Sequence, residues 1–427
     1  MNPKRLILVG FILLLSLSSL WAQSDIEARK AELEQNPSDP ARNYNLGNTY
    51  LAAQRYSEAV SYYDKALSLK PDYPEAWNNK GVALRRAGQA KEAAAALEKA
   101  VKIKPDYLEA LLNLGGVCEE LGLYRKAALT YKKVLPLRAD ADMYLLSANA
   151  WRKAGSPDAA AQAYEKAGEL EPSRKEIWTS LSGLRIDQGD YAKAAQAMEK
   201  AASLDASLWS QAGVLYEKGK DYPRAATCYE KGARAGDSQC WLSLGRCYEV
   251  LSDTARAIES YKQAQGAGPD AGKAGEKLAR LYEAQGKAQE AGEAYAAAAK
   301  SQPGSFTSVF NQAVMLEKQG KYAEALSSYL QASGLKPDDG KSCFGQGNCY
   351  VKLDSLDQAL GAYAKAVSLI PDFADAYLNY GVALDKAKKK PEAVQALEKF
   401  LTLSPQYPQA DKVRQRIEEL RKEAQKP

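Results

Sequence analysis

One pattern of small, large and helix-ending residues recurs along most of this chain, and no other feature restricts its fold as much. Trp77, Gly81, Leu84, Ala93, Leu97, Ala100 and Pro105 reappear at identical spacings as Tyr377, Gly381, Leu384, Ala393, Leu397, Phe400 and Pro405. The same template fits eleven times between Pro40 and Tyr407. Self-similarity at a fixed period of this size marks stacked supersecondary units. The eighth position is always small, as in Gly47, Gly81, Gly115, Ala148, Ser182 and Gly213. The twentieth is alanine in every unit, from Ala59 and Ala93 to Ala359 and Ala393. The twenty-fourth is large and mostly tyrosine: Tyr63, Tyr131, Tyr164, Tyr229, Tyr261, Tyr295, Tyr329 and Tyr363.

Each unit reads as two helices joined by a turn at a glycine such as Gly88, Gly122, Gly155 or Gly189. Small residues at positions 8 and 20 let the two backbones approach, and the aromatic at 24 fills the space beside them. A proline at position 32 ends the second helix, since it has no N–H to continue the ladder. One such hairpin cannot bury its apolar face alone, so neighbours stack. The pattern resembles the tetratricopeptide repeat family. The resemblance implies an all-α fold: an α-solenoid, a right-handed superhelix of eleven helix-turn-helix repeats with a C-terminal capping helix. It also implies a protein-interaction scaffold with a concave inner groove.

The expected boundaries are an N-terminal helix over 23–39, repeats over 40–73, 74–107, 108–140, 141–174, 175–205, 206–237, 238–271, 272–305, 306–339, 340–373 and 374–407, and a capping helix over 408–427. The third, fifth and sixth repeats are short and lack the terminating proline. The stretch 231–237 is similar to the connection in Sel1-like repeats, and Gly236 can end a helix in the left-handed conformation. Two readings stand there: an indel in a surface turn, or a joint between groove segments that changes the stacking angle between about residues 200 and 240. Val413, Ile417 and Leu420 lie on one face of the last helix and would cover the final repeat.

Ahead of the repeats, Lys4 and Arg5 precede an apolar, charge-free run from Leu6 to Leu20, followed by Trp21-Ala22-Gln23. This reads as a secretory signal peptide over 1–22, cleaved after Ala22, or else as an uncleaved anchor. The expected location is outside the cytoplasm, periplasmic or secreted, and membrane contact is expected only through the signal segment if it is retained. A net charge of +5 spread over 427 residues argues against a nucleic-acid partner. There is no histidine, so imidazole bases, His metal ligands and Ser-His or Cys-His pairs are excluded. The six cysteines, Cys118, Cys228, Cys240, Cys247, Cys343 and Cys349, form no C-x-x-C. Cys228 and Cys247, on facing helices of neighbouring repeats, are the one candidate pair for a bridge; buried, small-residue use is the alternative. No catalytic residues, metal or cofactor are expected. The partners expected are protein or peptide segments.

The family resemblance places the groove on the first helix of each repeat. Position 6 supplies Asn45, Asn79 and Asn113, which resemble a ladder that grips a peptide backbone; ordinary repeat consensus is the other explanation. Lys and Arg are absent from the positions of the family's two-carboxylate clamp, where Tyr44, Glu109 and Asn113 stand. Glu217, Glu249, Glu283 and Glu317 recur at position 12, and Arg246 and Arg280 at position 9 predict local ion pairs with Glu249 and Glu283. The main binding site is expected at the C-terminal end. There Phe310, Phe344 and Leu378 at position 5 join Val314, Val382 and Val351, with Asn311, Asn348 and Asn379 flanking them. An apolar strip of this kind marks a contact, unless the phenylalanines pack into the next repeat or the terminal helix. The rival function is a constitutive subunit of a bacterial envelope assembly, secretion or pilus machine; an adaptor for cell-wall enzymes is a third reading.

Overall fold

The computed structural model describes residues 23–266 and 268–424. The signal segment read over 1–22 lies outside them. Among the described residues all regular structure is helical, and the fold is an α-solenoid. The chain divides into two compact units between Leu208 and Trp209.

The first unit opens with a helix over 23–35. Its inward residues are Ile26, fully buried, and Leu33, both against Leu46 and Tyr50; Ala28 and Ala31 face outward. Helix pairs follow from Pro40–Ala52 and Tyr56–Leu69 to Lys175–Asp187 and Tyr191–Leu204. The second unit runs from Trp209–Lys218 and Tyr222–Arg234 to Ala374–Lys386 and Lys390–Leu403, and closes with Ala410–Ala424. Ile417 and Leu420 of that last helix are buried on Leu384 and Leu397, and Val413 packs beside them. Arg416 fixes its angle by donating two hydrogen bonds of 2.8 Å to Asp385.

Within each hairpin the packing follows from side-chain size. Every alanine at position 20 is fully buried. A Cβ added to Gly47 would stand 2.7 Å from the Tyr63 ring, and one added to Gly213 would stand 2.6 Å from the Tyr229 ring. The glycine is therefore the space that the tyrosine fills. In the fifth repeat Ser182 takes the small position and satisfies its buried hydroxyl by donating to the Ala194 carbonyl at 2.8 Å. The turn between the two helices holds to one geometry. In the second repeat Gly88 has φ +80°, Gly88 N–H donates to Arg85 C=O, and Gln89 N–H donates back to Leu84 C=O. This is a Schellman closure, which uses carbonyls the helix end leaves free. At 231–237 the same closure forms around Gly236, with Asp237 N–H donating to Gly232 C=O at 3.0 Å.

Candidate functional site

The first helices carry an ordered polar ladder, built outward from the buried tyrosines. A buried phenol must hydrogen-bond, and position 24 points its hydroxyl toward the first helix. Tyr229, Tyr261, Tyr295 and Tyr329 donate to Glu217, Glu249, Glu283 and Glu317 at 2.6, 2.5, 2.8 and 2.6 Å. Tyr63, Tyr164 and Tyr363 donate instead to Asn48, Asn149 and Asn348 at 2.8, 2.5 and 2.8 Å. Burial, reinforced by the neighbouring carboxylate, pushes the hydroxyls of Tyr229, Tyr261, Tyr295 and Tyr329 far above the usual tyrosine range.

Most of these acceptors then receive a second donor from the following repeat. Arg246 donates to Glu217 at 3.1 Å and Lys277 to Glu249 at 3.1 Å. Asn348 donates to Glu317 at 3.1 Å, Asn79 to Asn48 at 2.9 Å and Asn379 to Asn348 at 3.0 Å. This corrects the expected pairing within one helix: Arg246 reaches back to Glu217, and Glu249 is taken by Tyr261 and Lys277. The asparagine ladder also serves the solenoid. Asn79 gives its amide N–H groups to Tyr44 and Asn48 and accepts from Asn78. Asn113 donates to Asn78 at 3.0 Å. Asn45 stands exposed in the middle of its helix.

In the second unit the ladder borders a cavity of about 680 Å³. Of the residues singled out in the sequence, Phe310, Val314, Phe344, Asn348, Val351, Asn379 and Val382 line it. Asn311 and Leu378 do not; Leu378 packs half-buried on the core of the last two repeats. Phe310 stacks on Phe306 at 5.6 Å and meets Tyr329 edge-on at 5.8 Å. Phe344 lies 4.8 Å from Phe373 and 5.9 Å from Tyr363. Each phenylalanine thus packs on its own neighbours with one side and walls the cavity with the other. Val382 remains 46% exposed.

The lining also includes Phe373, Lys318, Lys341 and Lys352, and Lys386, the first of four lysines within 386–390 at the turn of the last repeat. Comparing position 13 across repeats would have found three of them, since Lys318, Lys352 and Lys386 occupy it in the last three units. All six cysteines are buried thiols, and no disulfide joins Cys228 to Cys247. Burial pushes Cys240, Cys247 and Cys349 up to about 12.

A family profile described as tetratricopeptide repeat matches residues 44–107, 145–208, 210–272, 276–340 and 344–408, and a second of the same description matches 84–150. The third of these stretches takes in the 231–237 junction. No curated relative matches the chain. Among solved structures, MamA (41-end) from Desulfovibrio magneticus RS-1 is similar at 23% identity and TM-score 0.34, over 39% of this chain and 96% of its own. YrrB, described as a TPR protein with an unusual peptide-binding site, is similar at 20% identity and TM-score 0.38, over 46% of this chain and 99% of its own. The Naa15/Naa10 structure bound to HypK-THB is similar at 14% identity and TM-score 0.42, over 95% of this chain and 78% of its own. At such identities and scores the likenesses say nothing about partners.

Proposed function

We propose, from the premise that the chain belongs to the tetratricopeptide repeat family, that it is a non-catalytic scaffold whose principal contact is a protein or peptide segment seated in the cavity of repeats nine to eleven. The observation that carries this reading is the cavity wall itself. Phe310, Phe344, Val351 and Val382 from three successive first helices face one solvent-open space. Apolar area of that kind is stabilised when a partner covers it, and the asparagines beside it offer amide groups to a peptide backbone.

Panning a displayed peptide library on the full chain tests this. A shared apolar pattern should emerge, lost on Val382→Glu and kept on Leu330→Glu, a control at a residue 48% exposed elsewhere in the unit. Absence of any enriched pattern, or equal loss in both variants, would overturn it.

The apolar run at Leu6–Leu20 supports export to the periplasm or beyond as part of this reading. Intact mass of the native protein tests it: a chain beginning at or near Gln23 is expected, and one retaining Met1 to Ala22 in a membrane fraction would count for an anchor. A second reading, a fixed subunit of an envelope assembly, secretion or pilus machine, is favoured by Leu123 and Leu129, exposed by 46% and 48% on one surface of the first unit. It predicts a single stoichiometric partner in crosslinked envelope fractions.

A further inference from the structure

The same cavity that holds the apolar wall has a rim of one sign. Lys318, Lys341, Lys352 and Lys386 all line it and are exposed, against one carboxylate, Glu317. That carboxylate is already engaged, accepting from Tyr329 at 2.6 Å and from Asn348 at 3.1 Å. The other acids of these first helices are Asp385, held by Arg416 at 2.8 Å, and Asp375, which does not line the cavity. Among the described residues Lys341, Lys352 and Lys386 form no ion pair, although Lys352 sits 6.0 Å from the Tyr322 ring. Elsewhere in this chain several cations on the first helices find carboxylates in the adjacent repeat, as Arg85, Arg152, Arg246 and Lys277 do.

A lysine in the last turn of a helix is favoured by the helix dipole. That accounts for position 13, but not for Lys341 in the first turn of Gly340–Lys352, where a cation is disfavoured. It also does not account for three lysines left without acids around one apolar wall.

Resting on the reading above, we propose that the segment bound here is acidic: an internal stretch of a partner chain, with two or three apolar anchors set on Phe310, Phe344 and Val382 and with Asp or Glu side chains reaching Lys341, Lys352 and Lys386. The spacing follows from the stacking. The first helices of successive repeats touch, which puts the position-13 lysines roughly 10 Å apart. Three residues of extended chain cover about that distance. Acids about three residues apart, between anchors of the opposite face, therefore meet Lys352 and Lys386; Lys341 stands at the other end of the Gly340–Lys352 helix, about 16 Å from Lys352, and takes an acid about five residues from the one on Lys352. Desolvation by the apolar wall strengthens each contact relative to a fully wet pair.

Three synthetic twelve-residue peptides test this, acetylated and amidated so that no terminal charge remains, with identical phenylalanine anchors and with Glu, Gln or Lys at the four variable sites. Fluorescence anisotropy should show the Glu peptide binding at least about tenfold more tightly than the Gln peptide, with an affinity that falls as salt rises. The variant Lys341→Gln/Lys352→Gln/Lys386→Gln should remove that advantage while leaving the Gln peptide's affinity unchanged. All three sites are exposed, so circular dichroism should match the parent chain. Equal binding of Glu and Gln peptides would overturn the acidic specificity while leaving the apolar groove reading in place, and so would binding that needs a free C-terminal carboxylate. Failure of all three peptides together with an empty library selection would remove both.

Discussion

The hydroxyl of Tyr329 donates to the carboxylate of Glu317 at 2.6 Å, tying the second helix of the ninth repeat to its first at the edge of the cavity. Tyr363 makes the corresponding bond to a neutral acceptor, Asn348, at 2.8 Å. Bonds to charged groups are stronger, about 1.5–3 kcal/mol against about 0.5–1.5 for neutral pairs. Tyr329→Phe is therefore expected to cost about 1 kcal/mol more than Tyr363→Phe in denaturant unfolding of the full chain. Equal losses would show that Glu317 finds compensation elsewhere.

Glycine at position 8 is a packing requirement where a tyrosine ring lies against it, while Gly183 in the first helix of the fifth repeat is not. Gly213→Ala drives a methyl to 2.6 Å from the Tyr229 ring, and should destabilise by about 1–3 kcal/mol. At Gly183, inside Lys175–Asp187, an added methyl would meet nothing within 4 Å. Gly183→Ala should stabilise by about 0.5–1 kcal/mol through helix propensity. Opposite signs of the shift in midpoint are the result to look for.

The inter-helix turns hold a left-handed residue whether or not it is glycine. Lys388 has φ +60° and Gly286 φ +73°. Lys388→Gly should stabilise by about 1 kcal/mol, because a side chain is strained there. Gly286→Ala should cost about the same, although no atom lies within 4 Å of the new methyl, so the penalty is purely conformational. Thermal melting of both variants checks the pair. A neutral Lys388→Gly would mean that the lysine side chain makes a compensating contact.

Alkaline pH should unfold the protein through its buried tyrosines. Burial pushes Tyr107 up to about 12, and Tyr63, Tyr131, Tyr229 and Tyr261 higher. Below about pH 10 the phenols are neutral in both folded and unfolded chains, and their contribution is fully present. Above that, the unfolded chain ionises while the folded chain resists. Stability should then drop by up to about 1.4 kcal/mol per pH unit for each such tyrosine until the folded value is passed. Guanidinium midpoints should begin to fall from about pH 8.5, where the thiols of Cys240, Cys247 and Cys349 ionise in the unfolded chain but are held neutral by burial in the folded one, and fall more steeply above about pH 10 as the tyrosines follow. Tyrosinate absorbance rising near pH 10 with helicity intact would contradict the burial argument.

What the sequence determined by itself is the hairpin. Its period, the small residue at Gly213, the alanine at Ala225 and the tyrosine at Tyr229 all act within about 24 residues, where helical geometry dictates who meets whom. It also put Phe310 and Phe344, at equal positions of neighbouring repeats, on one face; Leu378 at that same position packs on the core of the last two repeats instead, and Val382 four residues on walls the cavity there. Tertiary structure decided the polar partners. Arg246 and Glu249 have the spacing of a local pair, yet Arg246 turns to Glu217 and Glu249 to Tyr261 and Lys277. A surface ion pair along one helix is worth little, whereas a buried phenol left without an acceptor is costly, so the tyrosine claims the carboxylate first. The same competition consumes Asn79 and leaves Asn45 exposed. It also leaves Lys341, Lys352 and Lys386 without acids, because which acids come within reach depends on the stacking of one repeat on the next.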